Sequence, residues 1–143
     1  MIYTEMTIKA MKYAYNAHLG QLDYNNVPYI FHPYHLAEQM DDEVSCTVAL
    51  LHDVVEDTEI TIEDLKKEFP TKVTDAVALL THDETVDYFD YVNALKHNDV
   101  ARKVKLADLD HNSDENRATG CGLSLEELEA WKVKYAKAKA LLL

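Results

Sequence analysis

The segment "LLHDVVEDT", residues 50–58, places four ionisable side chains among residues typical of a protein core. Its leucines and valines recur at the spacing of a helix that packs against a core. Side chains four residues apart share a helix face, so Glu56 is expected over His52. By the same spacing, Asp57 is expected over Asp53. Three carboxylates this close resist ionising together unless a cation compensates them, so the segment predicts a helix that lines a cation-binding cleft.

The competing interpretation of this segment needs no cation. Glu56 and Asp57 would then form a solvated helix end, and His52 would be a core histidine whose ring nitrogens have protein partners. The valines and leucines around these residues argue against it, because unpaired charges next to buried apolar residues are costly. Further ionisable residues in apolar surroundings elsewhere in the chain favour the cleft.

The helical spacing of apolar residues extends over most of the chain, and no stretch shows the strict alternation of a half-buried strand. We therefore predict an all-α fold, a single-domain bundle of seven or eight helices that spans all 143 residues. Thr61 and Ser124 precede acidic helix starts, where a hydroxyl can accept a free backbone N–H, and Pro33 suits the first position of a helix. Segments 20–28 and 113–122 are rich in Gly, Asn and Asp and are predicted loops. The predicted helices cover residues 5–19, 33–40, 43–57, 61–69, 72–81, 87–97, 99–112 and 124–142.

The charge of the chain limits its partners. With 26 acidic and 14 basic residues, the formal net charge is −12, which would repel nucleic acids and anionic membranes. A cation held by clustered carboxylates would still attract a small phosphorylated molecule.

The first residues lack the features of a secretory signal, and no apolar run approaches the ~18 residues of a membrane span. We therefore expect a cytoplasmic protein of undetermined oligomeric state, in which Cys46 and Cys121 are free thiols.

Two other segments supply ionisable residues in apolar surroundings. "PYIFHP" places His32 at the mouth of a predicted helix, with His35 as its rival one turn later. "KVKLADLDHN" places Asp108 on the apolar side of another helix, with Lys105 one turn before it and Asn112 one turn after it. Because the chain has no glycine-rich phosphate loop and no nucleophilic-serine motif, metal-activated water is the favoured nucleophile. The candidate ligands, a mixed set suited to Mn²⁺, Fe²⁺ or Zn²⁺, are His32, His52, Asp53 and Asp108.

Four motifs in this order, "AHLGQ", "PYIFHP", "ALLHDVVEDT" and "KLADLDHN", resemble the HD-type hydrolase domain of the RelA/SpoT homologue family, particularly its stand-alone small alarmone hydrolases. The likeness covers residues 8–112. It implies a helical domain around a metal cleft that usually holds Mn²⁺. The reaction it implies is removal of the 3′-pyrophosphate from guanosine tetra- or pentaphosphate, the alarmones of the stringent response. By position, the family's metal ligands fall on His32, His52, Asp53 and Asp108, and its catalytic pair falls on Glu56 and Asp57.

The substrate side of the site matches the family less well. Asn112 corresponds to a family residue near the nucleotide, and we assign Lys105 and Tyr24 to substrate binding with it. Asp23 and Tyr24 stand where many relatives have a basic pair, and Leu109 stands where an arginine is common. Asp23 is therefore expected to face the ligand. If guanosine tetraphosphate is the substrate, Asp23→Arg should lower its KM several-fold, whereas a higher KM together with good cleavage of another nucleotide by the parent would mean that Asp23 selects a different ligand.

These departures leave the identity of the nucleotide open. Alternative substrates are another nucleotide with a 3′-pyrophosphate, or one with a 2′- or 3′-phosphate, such as NADPH. Alternatives outside this reaction are a protein that binds an alarmone without cleaving it, and an interaction domain with a vestigial site. The Glu56–Asp57 pair argues against a binding protein, because two extra negative charges would not help to hold an anion.

The last helix is interpreted mainly as a packing helix, whose Trp131 and Tyr135 could cover the core or a partner subunit. The other histidines have no assigned role and are expected at the surface or in packing positions. They are His18, His82, His97 and His111.

Overall fold

A computed structural model describes residues 1–143. The chain folds into α-helices, and the only β-type pairing is an isolated bridge between Leu22 and Pro28. The predicted all-α fold is therefore confirmed. None of these helices has the length and apolar character that crossing a membrane requires. The helices are α1 (Glu5–Ala17), α2 (Phe31–Glu38), α3 (Glu43–Leu51), α4 (Val54–Asp57), α5 (Ile62–Lys66), α6 (Thr71–Leu80), α7 (Tyr88–Leu95), α8 (Asp99–Asn112) and α9 (Leu125–Leu142), with a 3₁₀ helix at Glu115–Ala118.

Helix α3 forms the centre of the fold. The seven consecutive residues from Ser45 to Leu51 are all buried, which is the pattern of a helix surrounded by protein on every side. Asp42 caps the helix by accepting a hydrogen bond from the backbone N–H of Ser45 at 2.8 Å. Helix α3 packs against α1, α2, α6 and α8. The residues that follow α3 therefore emerge close to both α2 and α8.

The other helices complete one continuous hydrophobic core. Helices α7, α8 and α9 pack on one another, and α5 packs on α6. The C-terminal half of α9 buries Ala138 and Leu142. Nearer the start of α9, Trp131 and Tyr135 are only half-buried and line a cavity with the segment that follows α8. One end of α9 therefore contributes to the core, and the other end forms a cavity wall.

Two helix starts follow the predicted mechanism, and one differs from it. The side chains of Thr61 and Ser124 each accept a hydrogen bond from the backbone N–H three residues later, at 3.2 and 3.1 Å. Helix α2 begins at Phe31, so Pro33 is its third residue and not its first as predicted. The first four N–H groups of a helix have no acceptor within it, so the missing N–H of proline costs nothing at this position either.

The segment predicted as one helix over residues 43–57 forms two helices. Helix α3 ends at Leu51, a turn follows at His52 and Asp53, and α4 adds a single further turn. Apolar spacing did not indicate the break because apolar residues are buried on both sides of it. His52 and Asp53 therefore lie at the end of the central helix, where α2 and α8 also approach.

Candidate active site

Two imidazoles and two carboxylates meet at the end of α3. His52 and Asp53 come from the turn, whereas His32 comes from α2. On α8, Asp108 places Oδ1 2.9 Å from Nε2 of His32 and 3.7 Å from Nε2 of His52. Oδ2 of Asp53 lies 2.9 Å from Nε2 of His52 and 3.8 Å from Nε2 of His32. The four atoms form a closed ring in which nitrogen and oxygen alternate.

The backbone orients His52 toward this ring. Its Nδ1 lies 2.7 Å from the carbonyl oxygen of Ala49, so Nδ1 carries the proton and donates it. When the ring is neutral, Nε2 therefore has a free lone pair. Nε2 is buried and makes no hydrogen bond of acceptable geometry, although Asp53 lies 2.9 Å away. A buried lone pair that faces carboxylates in this way suits metal coordination.

A second histidine contacts His32. Nδ1 of His32 lies 2.7 Å from Nδ1 of His111. The two ring planes differ by 6°, and the ring centroids are 5.0 Å apart, so the rings meet edge to edge. Burial and the nearby charge of Arg117 lower the pKa of His111 to about 3, which leaves its ring neutral. His111 was expected in a surface or packing role, and the structure corrects this by placing it directly against a candidate metal ligand.

The two carboxylates of the ring are held by neighbouring groups. Oδ2 of Asp53 accepts a hydrogen bond from the hydroxyl of Tyr29. Asp108 accepts from Nζ of Lys105 at 2.7 Å and from Nδ2 of Asn112 at 3.1 Å. Burial would raise the pKa of Asp108, but the ammonium of Lys105 and the imidazoles of His32 and His52 together outweigh burial and hold this pKa well below its usual range. Asp108 is therefore an ionised acceptor with a defined orientation.

These four side chains fit a divalent transition metal. The candidate ligand atoms of His32, His52 and Asp53 lie within 4.8 Å of one another, and Asp108 closes the ring. Atoms bound to one ion at ~2.1 Å lie ~3 to 4 Å apart, as the neighbouring atoms of this ring do. Burial lowers the pKa of His52, but the surrounding carboxylates raise it well above its usual value. The surroundings of the four ligand atoms therefore favour a positive charge between them. Two imidazole nitrogens and two carboxylate oxygens are typical ligands of Mn²⁺, Fe²⁺ or Zn²⁺.

Glu56 and Asp57 are exposed on α4 at the mouth of the cleft. Oε1 of Glu56 accepts a hydrogen bond from the backbone N–H of His82 at 2.7 Å, which orients its carboxylate. Partial burial raises the pKa of Glu56. Partial burial, with the charges of Asp53 and Glu56, also raises the pKa of Asp57 to about 6. A carboxyl group with a pKa near neutrality can both accept and donate a proton.

A cavity of about 240 Å³ opens beside His32. Its walls are largely aromatic, and the rings of Tyr24 and Trp131 meet edge to face with centroids 5.4 Å apart. Flat aromatic faces beside a guanidinium suit a nucleobase, which can stack on both. Trp131 and Tyr135, interpreted mainly as packing residues from the sequence, therefore belong to this cavity. The lining includes Tyr24, Tyr29, Asn112, Arg117, Trp131 and Tyr135.

Lys105 lies outside this cavity, apart from the other two residues assigned to substrate binding. Its ammonium packs 5.8 and 5.5 Å from the ring centroids of Tyr88 and Tyr91. A smaller cavity of about 70 Å³ is lined by Lys105 together with His52 and Glu56. The structure therefore brings Tyr24 and Asn112 together in the larger cavity. Lys105 lies instead in the smaller cavity, on the same side of the ring of ligand atoms as Glu56.

Asp23 lines the larger cavity, and both oxygens of its carboxylate have protein neighbours. Its Oδ1 accepts hydrogen bonds from the backbone N–H groups of Asn25 and Val27, at 2.8 and 3.0 Å. Its Oδ2 lies 3.8 Å from a guanidinium nitrogen of Arg117. The same guanidinium lies 5.8 Å from the ring centroid of Tyr24. Asp23 therefore shapes its loop, and Arg117 brings a positive charge to the cavity from another part of the chain.

Replacing Asp23 tests this structural role. Asp23→Arg removes the acceptor for two backbone N–H groups and places a second cation beside Arg117. We expect chymotrypsin to cleave the variant at Tyr24 roughly 5 to 30 times faster, since losing 1–2 kcal/mol of local stability enlarges the open population by that factor. Asp23→Asn keeps an acceptor oxygen and serves as the control, with cleavage close to that of the parent. Equal cleavage of all three proteins would show that other contacts hold the loop.

The sequence interpretation missed how the "AHLGQ" motif supports the site. Nδ1 of His18 lies 2.8 Å from Oε1 of Gln21. Nε2 of Gln21 donates to the backbone carbonyl of Asp57 at 2.9 Å, so the motif fastens α4 to the end of α1. The sequence did contain a signal for this supporting role, because the "AHLGQ" motif is one of the four motifs that resemble the family. Leu109, where relatives often have arginine, is buried in the core and does not reach the cavity.

Comparisons with known proteins agree with this geometry. The HD domain family model matches residues 10–110. Guanosine-3′,5′-bis(diphosphate) 3′-pyrophosphohydrolase MESH1 of Mus musculus is 32% identical over 147 residues, which cover 91% of this chain and 82% of that protein. A relative of the same enzyme name from Vibrio cholerae is 40% identical over 82 residues, 52% of this chain but only 12% of that longer protein. A solved structure described as a metazoan orthologue of SpoT that hydrolyses ppGpp aligns with a TM-score of 0.81 and 28% identity, covering 99% of this chain and 88% of that one.

The helical fold, the His52–Asp53 doublet and the family match define an HD-domain protein. Coverage separates two kinds of relative, because the chain spans most of the mouse protein and a small part of the Vibrio cholerae protein. The chain belongs to the HD-type hydrolases of the RelA/SpoT homologue family.

Proposed function

We propose that this protein is a metal-dependent hydrolase that removes the 3′-pyrophosphate from guanosine tetra- or pentaphosphate. The observation that carries the proposal is the alternating ring of nitrogen and oxygen atoms, with a carboxylate pair at its rim. The enzyme names of the mouse and Vibrio cholerae relatives support the choice of substrate. The residues proposed to act are the ligands His32, His52, Asp53 and Asp108, the catalytic pair Glu56 and Asp57, and the substrate-site residues Tyr24, Lys105 and Asn112.

We propose Mn²⁺ as the ion, held by the two imidazoles and two carboxylates. A bound divalent ion supplies Lewis-acid activation of water and of a phosphoryl oxygen. The protein holds the ligands by three contacts: Ala49 orients His52, Tyr29 orients Asp53, and Lys105 orients Asp108. Such supporting contacts tune the affinity for the ion as well as its position.

Glu56 and Asp57 are proposed to move protons during the reaction. Both stand at the open side of the cleft, so one carboxyl can take a proton from the attacking water. The other can give a proton to the leaving 3′-oxygen. The raised pKa of both groups supports this exchange, and a pKa of about 6 lets Asp57 change protonation state near neutral pH.

The aromatic cavity is proposed to hold the nucleobase. Trp131 and Tyr24 line the same cavity as His32, so a base stacked on the open face of either ring would leave the phosphates near the proposed ion. Arg117 offers a positive charge on the same wall, which favours an anionic ligand. The negative net charge of the chain disfavours nucleic acid, so we propose a free nucleotide as the ligand. We also propose that residues 1–143 form one domain and that the protein is cytoplasmic.

Truncation of Trp131 tests the proposed base site. Stacking of a base on an aromatic side chain is worth about 1–3 kcal/mol, so Trp131→Ala should raise KM for guanosine tetraphosphate by about 5- to 150-fold. We expect kcat to change much less, because the proposed catalytic pair lies on α4. Val133→Ala alters an exposed residue of the same helix and should leave both constants unchanged. An unchanged KM for Trp131→Ala would place the base elsewhere.

Turnover of a nucleotide panel tests the reaction itself. Purified protein loaded with Mn²⁺ would be incubated with guanosine tetraphosphate, guanosine pentaphosphate and NADPH, and the products would be separated by ion-exchange chromatography. The proposal expects pyrophosphate from the first two substrates. Phosphate from NADPH alone would reassign the enzyme to a nucleotide phosphatase. Binding of guanosine tetraphosphate without cleavage would make the protein a non-catalytic receptor.

A further inference from the structure

His111 has a contact that the proposed reaction does not use. Its Nδ1 lies 2.7 Å from Nδ1 of His32, and the near-coplanar rings aim these two atoms at each other. Two imidazole nitrogens at this distance share one proton, so one nitrogen donates and the other accepts. The direction of this bond decides which nitrogen of His32 remains free.

The proposed metal site defines that direction. If Nε2 of His32 binds an ion, it has no proton, and a neutral His32 then carries its proton on Nδ1. Nδ1–H of His32 must then be the donor, and Nδ1 of His111 must be the acceptor. The opposite arrangement would put a proton on Nε2 of His32, 2.9 Å from Asp108, where it would compete with the ion.

The ring of His111 is itself fixed in place. The ring of His35 stacks on it with centroids 4.0 Å apart and planes 24° apart. A guanidinium nitrogen of Arg117 donates to the backbone carbonyl of His111 at 3.0 Å. His111 lies in the last turn of α8, one turn after Asp108. The acceptor and the Asp108 ligand therefore come from the same rigid helix.

We propose that His111 is a positioning residue of the metal centre, which accepts a hydrogen bond from Nδ1–H of His32 and so keeps Nε2 of His32 free and aimed at the ion. This inference rests on the proposed metal site. It requires neither a particular nucleotide nor turnover. Outer hydrogen-bond partners of metal-bound histidines typically contribute 10- to 100-fold to metal affinity, so a loss of that size is expected without His111.

Metal affinity tests the proposal directly. In His111→Phe, a ring remains against His35 but no acceptor faces His32, and we expect Mn²⁺ and Zn²⁺ to bind about 10- to 100-fold more weakly by chelator competition. In His111→Asn, the amide oxygen stands close to the position of Nδ1 and should restore most of the affinity. His35→Phe keeps the stacking and the hydrogen bond, and it serves as the matched control with affinity near the parent value. Thermal unfolding of each metal-free variant separates this effect from loss of the fold.

The hydrogen bond also has a spectroscopic signature. In Zn²⁺-loaded protein with ¹⁵N-labelled histidine, a coupling across the bond should connect Nδ1 of His32 with Nδ1 of His111. Parent-like affinity of His111→Phe overturns the proposal, as does an equal loss in His111→Asn or the absence of the coupling. If the parent binds no metal, the proposed site and this inference both fail. If the parent binds metal but cleaves no nucleotide, only the proposed reaction fails.

Discussion

His52→Ala and Asp108→Ala should each lose the metal ion. Four-ligand zinc sites bind with about 10–16 kcal/mol, so removing one ligand of four is expected to cost on the order of 3 kcal/mol, or roughly 100-fold in affinity. Each change also leaves the opposing groups of the ring without a partner, as when loss of Asp108 leaves His32 without its 2.9 Å neighbour. Metal content would be measured by mass spectrometry after dialysis, with circular dichroism to verify that the helices remain.

The control for this experiment lies on the same helix as Asp108. Asp110 is an exposed residue of α8 that pairs with Lys139 at 2.7 Å, away from the ring. Asp110→Ala removes one carboxylate from the helix and should retain the full metal content. Unchanged metal in both His52→Ala and Asp108→Ala would mean that the ring is a polar cluster of the core and binds no ion.

Glu56→Gln and Asp57→Asn should keep the metal and lose turnover. The amides preserve the shape of the side chains but cannot exchange a proton at neutral pH. Acid-base catalysis by a positioned side chain is typically worth 10² to 10⁴ in rate, so kcat for pyrophosphate release should fall by about that factor in each variant. The ion should remain because neither residue belongs to the ring of ligands. Stopped assays with guanosine tetraphosphate, together with metal analysis of the same samples, would measure both quantities.

A matched neighbour separates this catalytic effect from a general change of charge. Glu59 is exposed just beyond α4 and contributes to no contact of the cleft. Glu59→Gln therefore removes the same charge and should leave kcat at the parent value. Parental rates in both Glu56→Gln and Asp57→Asn would leave the pair as a solvated helix end.

The residues within motifs could be predicted from the sequence, whereas the contacts between distant segments could not. His52, Asp53, His32 and Asp108 stood out because ionisable residues in apolar surroundings need partners, and the family resemblance implied the same four ligands. The turn between α3 and α4 was missed, because buried residues on both sides of it continue the helical pattern. The pairing of Asp23 with Arg117 was not predicted, because position relative to relatives does not reveal which side chain lies opposite.

The sequence by itself determined the all-α fold, most helix boundaries and the four candidate ligands of the metal. The spacing of apolar residues predicts one helix at a time, and a motif identifies residues that relatives share. Only the tertiary structure decided that Arg117 faces Asp23 and that Trp131 lines the cavity. It also decided that His111 meets His32, from which it is separated by 79 positions. Contacts of this kind form when helices pack, so their directions depend on the crossing of whole elements and leave no periodic signal in the chain.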